Sequence, residues 1–194
     1  MNYAALGLIA FIFFISCENG NTTDNSARKR APITISSEAN YTPPAGVDSS
    51  VSASLKPVMN SYLHLKNTLV DDNSTDASLA AHQFLATLSS VDTAAMTPAQ
   101  KNSFNHIVPD MRIQAQHISE NKKINDQRSY FKALSEDVHK LARVFGGGRK
   151  LFVAHCSMAM DGKGASWISE FPEIRNPYFG DQMLECGEVK EELK

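Results

Sequence analysis

Cys156, Met158 and Met160 put three sulfur side chains within five residues, with His155 beside the first. Met183 and Cys186 follow in the order Met-x-x-Cys, so three of the chain's seven methionines flank two of its three cysteines. Thiolate and thioether are soft donors and select soft cations, monovalent copper above all. The candidate metal ligands are therefore Cys156, Met158, Met160, Met183 and Cys186, and the candidate cofactor is copper(I) or another soft ion. His155 ranks last: if the chain stays extended past Cys156, then Cys156, Met158 and Met160 share one face and His155 points to the other. No Cys-x-x-Cys pair is present, so the spacing does not point to structural zinc. Methionine also fills cores, so it is the concentration of sulfur, and no single methionine, that points to a metal.

The same cysteines admit a second reading. Residues 3–16 are almost wholly apolar and end in Phe14-Ile-Ser-Cys17. This is the length of a secretory hydrophobic core and too short for an ordinary spanning helix. A small residue directly before a cysteine resembles the lipobox of bacterial lipoproteins, with Phe14 where leucine is usual and no Lys or Arg ahead of the apolar run. Cleavage there would put the lipid on Cys17, which anchors a protein to a membrane without spanning it. Three cysteines less the acylated one leave Cys156 and Cys186. In an oxidising compartment an even pair invites a disulfide, so a bridge and metal ligation are both open for Cys156 and Cys186.

The elements that must position these residues lie upstream. Residues 1–16 read as the signal peptide and 17–50 as a polar tether rich in Asn, Thr, Ser and Pro, with Arg28-Lys29-Arg30 a solvated basic cluster. From Val51 the period becomes helical. Val51, Leu55, Val58, Tyr62, Leu65 and Leu69 form one stripe, with Pro57 near its start, and Ala77, Ala81, Phe84, Leu88 and Val91 form a second. Thr97-Pro98-Ala99-Gln100 is a capping box that opens a third helix, in which Pro109 predicts a kink or break. Phe131, Leu134, Val138, Leu141 and Phe145 form the fourth and cleanest stripe, ended by Gly146-Gly147-Gly148. The expected fold is mainly α: an antiparallel four-helix bundle over residues 51–148. A C-terminal segment, 149–194, packs on it as part of the same domain. There Leu151-Phe-Val-Ala and the run from Met183 to Val189 predict two short strands, joined by an ordered loop whose Trp167, Phe171, Tyr178 and Phe179 fold back on the bundle.

His155-Cys-Ser-Met-Ala, Gly164-Ala-Ser-Trp-Ile-Ser, Ile174-Arg-Asn-Pro-Tyr-Phe-Gly and Met183-Leu-x-Cys-Gly together resemble an uncharacterised bacterial periplasmic domain family. The resemblance runs over about residues 51–189 and is most specific after Leu151; Ser157 stands where the family commonly has proline. Members of that family occur as small exported proteins and at the C-terminus of periplasmic adaptor subunits of heavy-metal efflux pumps. The resemblance implies a periplasmic setting and such an adaptor as partner.

Several classes of function are set aside. With a net charge of −2 and no long basic run, nucleic acid is not an expected partner. There is no Gly-x-Ser-x-Gly and no P-loop spacing, so neither a hydrolase nor a nucleotide site is indicated. The scattered His64, His82, His106, His117 and His139 read as surface residues, since a bundle-core metal site needs paired Glu-x-x-His motifs and the chain has a single one, Glu136–His139. The expectation is a non-enzymatic, lipid-anchored protein facing the periplasm, with the outer membrane as expected host, that binds a soft metal in heavy-metal handling. The alternative is a non-catalytic structural or interaction module, with a Cys156–Cys186 disulfide and a docking loop of Trp167, Tyr178 and Phe179.

Overall fold

The computed structural model describes residues 44–193; the expected signal peptide, Cys17 and most of the expected tether lie outside the described residues. Four long helices come first: α1 (Ser49–Val70), α2 (Ser74–Ser89), α3 (Pro98–Glu120) and α4 (Ile124–Phe145). Each of the first three packs on the next, and α4 closes the ring against α1. The starts are built locally. Asp48 accepts from the Ser50 N–H at 2.7 Å, and Asn73 accepts from the Asp76 N–H at 3.0 Å. Thr97 and Gln100 form the reciprocal capping box: the Gln100 N–H donates to Thr97 Oγ1 at 3.3 Å and the Thr97 N–H to Gln100 Oε1 at 2.9 Å. The expected stripes face inward. Val58, Tyr62, Leu65, Leu69, Phe84, Phe131, Leu134, Val138 and Phe145 are all sealed from solvent.

One helix-interior proline departs from expectation, and the other does not end its helix. Because α1 begins at Ser49, Pro57 sits two turns inside it, and α3 runs unbroken through Pro109. Each lies on an exposed face, where water can take up the carbonyl that proline leaves without a partner.

After α4 the chain builds a three-stranded antiparallel sheet: β1 (Leu151–Cys156), β2 (Ala165–Ser169) and β3 (Glu188–Leu193), with β1 in the centre. Two strand expectations are corrected. Residues 165–169, expected to lie within the loop, are a strand, with Ala154 opposite Trp167 and Cys156 opposite Ala165. The last strand is Glu188–Leu193, and it meets β1 through a bulge that leaves Lys190 as the extra residue. Met183 to Cys186 is a turn, in which the Cys186 N–H donates to the Met183 carbonyl at 3.0 Å.

Partners across an antiparallel pair share a face. Val153 and Ile168 therefore face the same way, and with Ser166 they line a groove against Ser135, His139 and Arg143 of α4. Ala154, Cys156, Ala165 and Trp167 face the other way, toward the cap formed by residues 170–187. The sheet is thus held between bundle and cap. The open edge of β2 is closed by two phenols: the Ile168 N–H donates to Tyr62 Oη at 3.1 Å, and Tyr178 Oη donates to the Ser166 carbonyl at 2.6 Å.

Candidate functional site

Cys156 ends β1, 1% exposed, and Cys186 lies half-buried at the end of the cap. They are joined as a disulfide, with Cα atoms 5.8 Å apart and a sequence separation of 30. Closing a loop of that length restricts the unfolded chain by about 3–4 kcal/mol. The two cysteines meet as the paired-strand expectation required, but by another route: Cys186 arrives on the turn before β3.

The methionines do not form the expected stripe. A single-face arrangement of Cys156, Met158 and Met160 needs the chain to stay extended, and β1 ends at Cys156. The chain must reverse there, because Cys156 already pairs with Ala165 of β2. It does so through a short turn, Ala159–Gly162, with Met160 and Asp161 both left-handed at φ +55° and +57°. Two consecutive non-glycine residues in that region store backbone strain of about 1–3 kcal/mol each. Met158 is 55% exposed, Met160 packs partly buried against the core, and Met183 is half-buried at the end of a 3-10 turn (Gly180–Gln182). Thioethers therefore flank the cysteine pair on both contributing segments.

His155 points away from the sulfurs, as strand alternation predicts. Its Nδ1 lies 2.9 Å from Ser166 Oγ, and its ring covers Gly164, where an added Cβ would sit 2.9 Å from Cε1. Among the described residues, no group of three or more His, Cys, Asp or Glu side chains is placed to hold a metal ion.

Trp167 and Tyr178, expected on a docking loop, are 1% and 5% exposed, and Phe179 is half-buried. The two buried rings belong to the core and offer no surface to a partner. Tyr178 stands 5.9 Å from Phe131 and 6.0 Å from Trp167, and Phe131 stacks on Tyr62 at 5.4 Å. The four rings form a continuous apolar column from the bundle core into the cap. Burial pushes the phenols of Tyr62 and Tyr178 well above their ordinary range, so both act as neutral hydrogen-bonding groups.

The polar residues that fasten the cap were not singled out from sequence. Asn176, fully buried, gives its side-chain Nδ2 to the Cys186 carbonyl at 2.7 Å and receives the Tyr178 N–H on Oδ1 at 2.8 Å. Arg128 of α4 donates to the Pro177 carbonyl at 2.8 Å, to the Leu69 carbonyl at 3.0 Å and to Asp72 at 2.5 Å. The other oxygen of Asp72 takes the Asp181 N–H at 3.0 Å, and Gly180 passes so close that a side chain there would overlap this carboxylate. Lys66, buried in α1, pairs with Glu170 at 2.8 Å, and Asn67 donates to the same carboxylate at 3.1 Å. The visible sign of Arg128 is its register: three residues before Phe131, on the core-facing stripe.

Residues 58–150 match the family model described as Protein of unknown function (DUF3347). No curated protein and no solved structure matches the chain. The matched range covers the bundle from within α1 to the end of α4 and stops one residue before β1. The cysteine and methionine motifs lie beyond it, so the match falls on the bundle and not on the candidate site.

Proposed function

We propose that this chain is a non-catalytic, lipid-tethered module of the bacterial periplasm that binds a soft metal ion, copper(I) above all, through Cys156 and Cys186 when the pair is reduced. It would buffer the ion or pass it to an adaptor subunit of a heavy-metal efflux pump. The observation that supports this reading is convergence: the fold brings two cysteines together across a separation of 30 residues, with methionine on both segments that deliver them. Two thiolates and one or two thioethers make a trigonal or tetrahedral shell suited to a soft monovalent cation. Oxidation to the disulfide removes both thiolates, so affinity follows redox state.

Competition titration against a copper(I) chelator tests the reading. The reduced protein is expected to bind tightly and the oxidised protein much more weakly. Cys156→Ser or Cys186→Ser should abolish tight binding, single changes at Met158, Met160 or Met183 should weaken it in part, and zinc should bind less well than copper. Equal affinity in the wild type and the double Cys→Ser variant overturns it. The disulfide itself favours the second reading, in which the bond is a permanent staple and the protein an interaction module. In that case thiol alkylation without reduction leaves the mass unchanged, and copper with a reductant adds none.

A further inference from the structure

We propose that Asn176 is a positioning residue that keeps Cys156 and Cys186 side by side when their bond is reduced, so that reduction yields a preassembled dithiol and not a released cap. This inference rests on the dithiol reading above and names what organises it.

All four polar groups of Asn176 are engaged. Its N–H donates to the Leu184 carbonyl at 2.8 Å, and its own carbonyl accepts from the Gly180 N–H at 3.1 Å. Oδ1 accepts from Tyr178 and Nδ2 donates to Cys186. One buried side chain thus fixes the backbone on both sides of the turn that delivers Cys186. The next residue, Gly187, holds that end against the sheet: an added Cβ would stand 2.9 Å from the Trp167 ring and 3.0 Å from the His155 carbonyl. Cys156 is held independently, in a central strand paired to β2 with Ala165 opposite it. Elsewhere the cap is tied by Arg128 to Pro177, by Asp72 to Asp181 and by the Tyr178 hydroxyl to Ser166. None of these contacts involves sulfur, so none is lost when the bond opens. The side chains that approach Cys186 keep it within reach of Cys156 without the covalent tie, which raises the effective concentration of one thiol at the other.

Reduction by a phosphine, which takes oxygen from water to become its oxide, supplies two electrons and leaves both cysteines as thiols. Phenylarsine oxide then condenses with the two thiols, forming two As–S bonds and releasing one water; a lone thiol holds it far less well. The test uses the full chain carrying Cys17→Ser, so that only this pair reacts. Trp167, the one tryptophan of the chain, reports the cap through its near-ultraviolet circular dichroism and emission. After reduction the Trp167 signal is expected to persist, with one arsenical bound per chain. Asn176→Ala should keep the Trp167 signal while oxidised, then bind the arsenical about tenfold more weakly once reduced, the factor that one net hydrogen bond supplies. Asn176→Asp keeps the acceptor for Tyr178 and loses the donor to Cys186, so it should also weaken capture.

Loss of the Trp167 signal on reduction together with failure to capture the arsenical overturns the inference. So does wild-type capture by reduced Asn176→Ala. Should Asn176→Ala fail to fold when oxidised, Asn176→Asp decides in its place, and wild-type capture by that reduced variant overturns the inference. Capture of the arsenical by a chain that binds no copper would remove the metal assignment and leave the role of Asn176 standing.

Discussion

A charge sealed from water destabilises a fold unless its partner is sealed with it. Lys66 is 2% exposed, and its ion-pair partner is Glu170, 104 residues further along the chain. Glu170→Ala should therefore cost about 3–5 kcal/mol in urea unfolding at neutral pH, while Lys66→Met, which removes the charge and keeps the apolar stem, should cost clearly less. A Lys66→Met cost equal to or above that of Glu170→Ala would show that the pair itself, and not the uncompensated ammonium, sets the energy. Burial pushes the Glu170 carboxyl up, but the Lys66 charge and the hydrogen bonds from Lys66 and Asn67 outweigh it and hold the carboxyl below its ordinary 4.5. A depressed carboxylate contributes stability that is present above 4.5 and lost as pH falls through the folded value. Thermal melts of Glu170→Gln should accordingly show a flatter acid limb than the wild type below that pH. At this scale the cysteine pair was legible because counting sufficed, whereas Asn176 was not. Its partners at 178, 180, 184 and 186 follow no period, and only the folded loop brings them to one side chain.

Helices announced themselves because burial on one side of a helix imposes a period, and α4 carries the plainest one. Leu134 is fully buried on that stripe, so Leu134→Ala should cost about 2–5 kcal/mol by equilibrium denaturation. A change under about 0.5 kcal/mol, the scale of a surface site, would take α4 out of the core. The strands were harder to read for opposite reasons. β2 is five residues between Gly164 and the cap, too short to show alternation, and four of its five side chains are buried, so it lacks a polar face. β3 reads Glu-Val-Lys-Glu-Glu-Leu, four charges in six residues, because it is an edge strand with one partner and water along the rest. Charged residues on an open edge are what discourages pairing with a second chain. Such a strand looks like a tail until β1 is placed beside it. The sulfur stripe failed because hairpin pairing at Cys156 forces a reversal through Asp161-Gly-Lys-Gly164, which ends the extended run before Met158, and the left-handed Met160 and Asp161 are its cost.

At the scale of the whole molecule, the bond between Cys156 and Cys186 ties the bundle-and-cap domain to the proposed route of the chain through the cell. Disulfides persist in oxidising compartments and are rare where thiols are kept reduced. No helix among the described residues is long and apolar enough to cross a membrane. The proposed anchor is the lipobox-like Phe14-Ile-Ser-Cys17, where a diacylglycerol on Cys17 would hold the domain at a surface. The two features make separable predictions. In a bacterial host, Cys17→Ser should leave the membrane fraction or stay unprocessed, as immunoblots of fractionated cells will show. Export itself does not need the lipid, so Cys156 and Cys186 of that variant should still resist alkylation until a reductant is added. A chain lacking residues 1–16 and retained in a reducing cytoplasm should instead take up alkylating agent at both cysteines. Wild-type fractionation and processing of Cys17→Ser would remove the anchor. Ready alkylation of the exported chain without reductant would remove the permanent staple and leave a dithiol open to metal from the moment of folding.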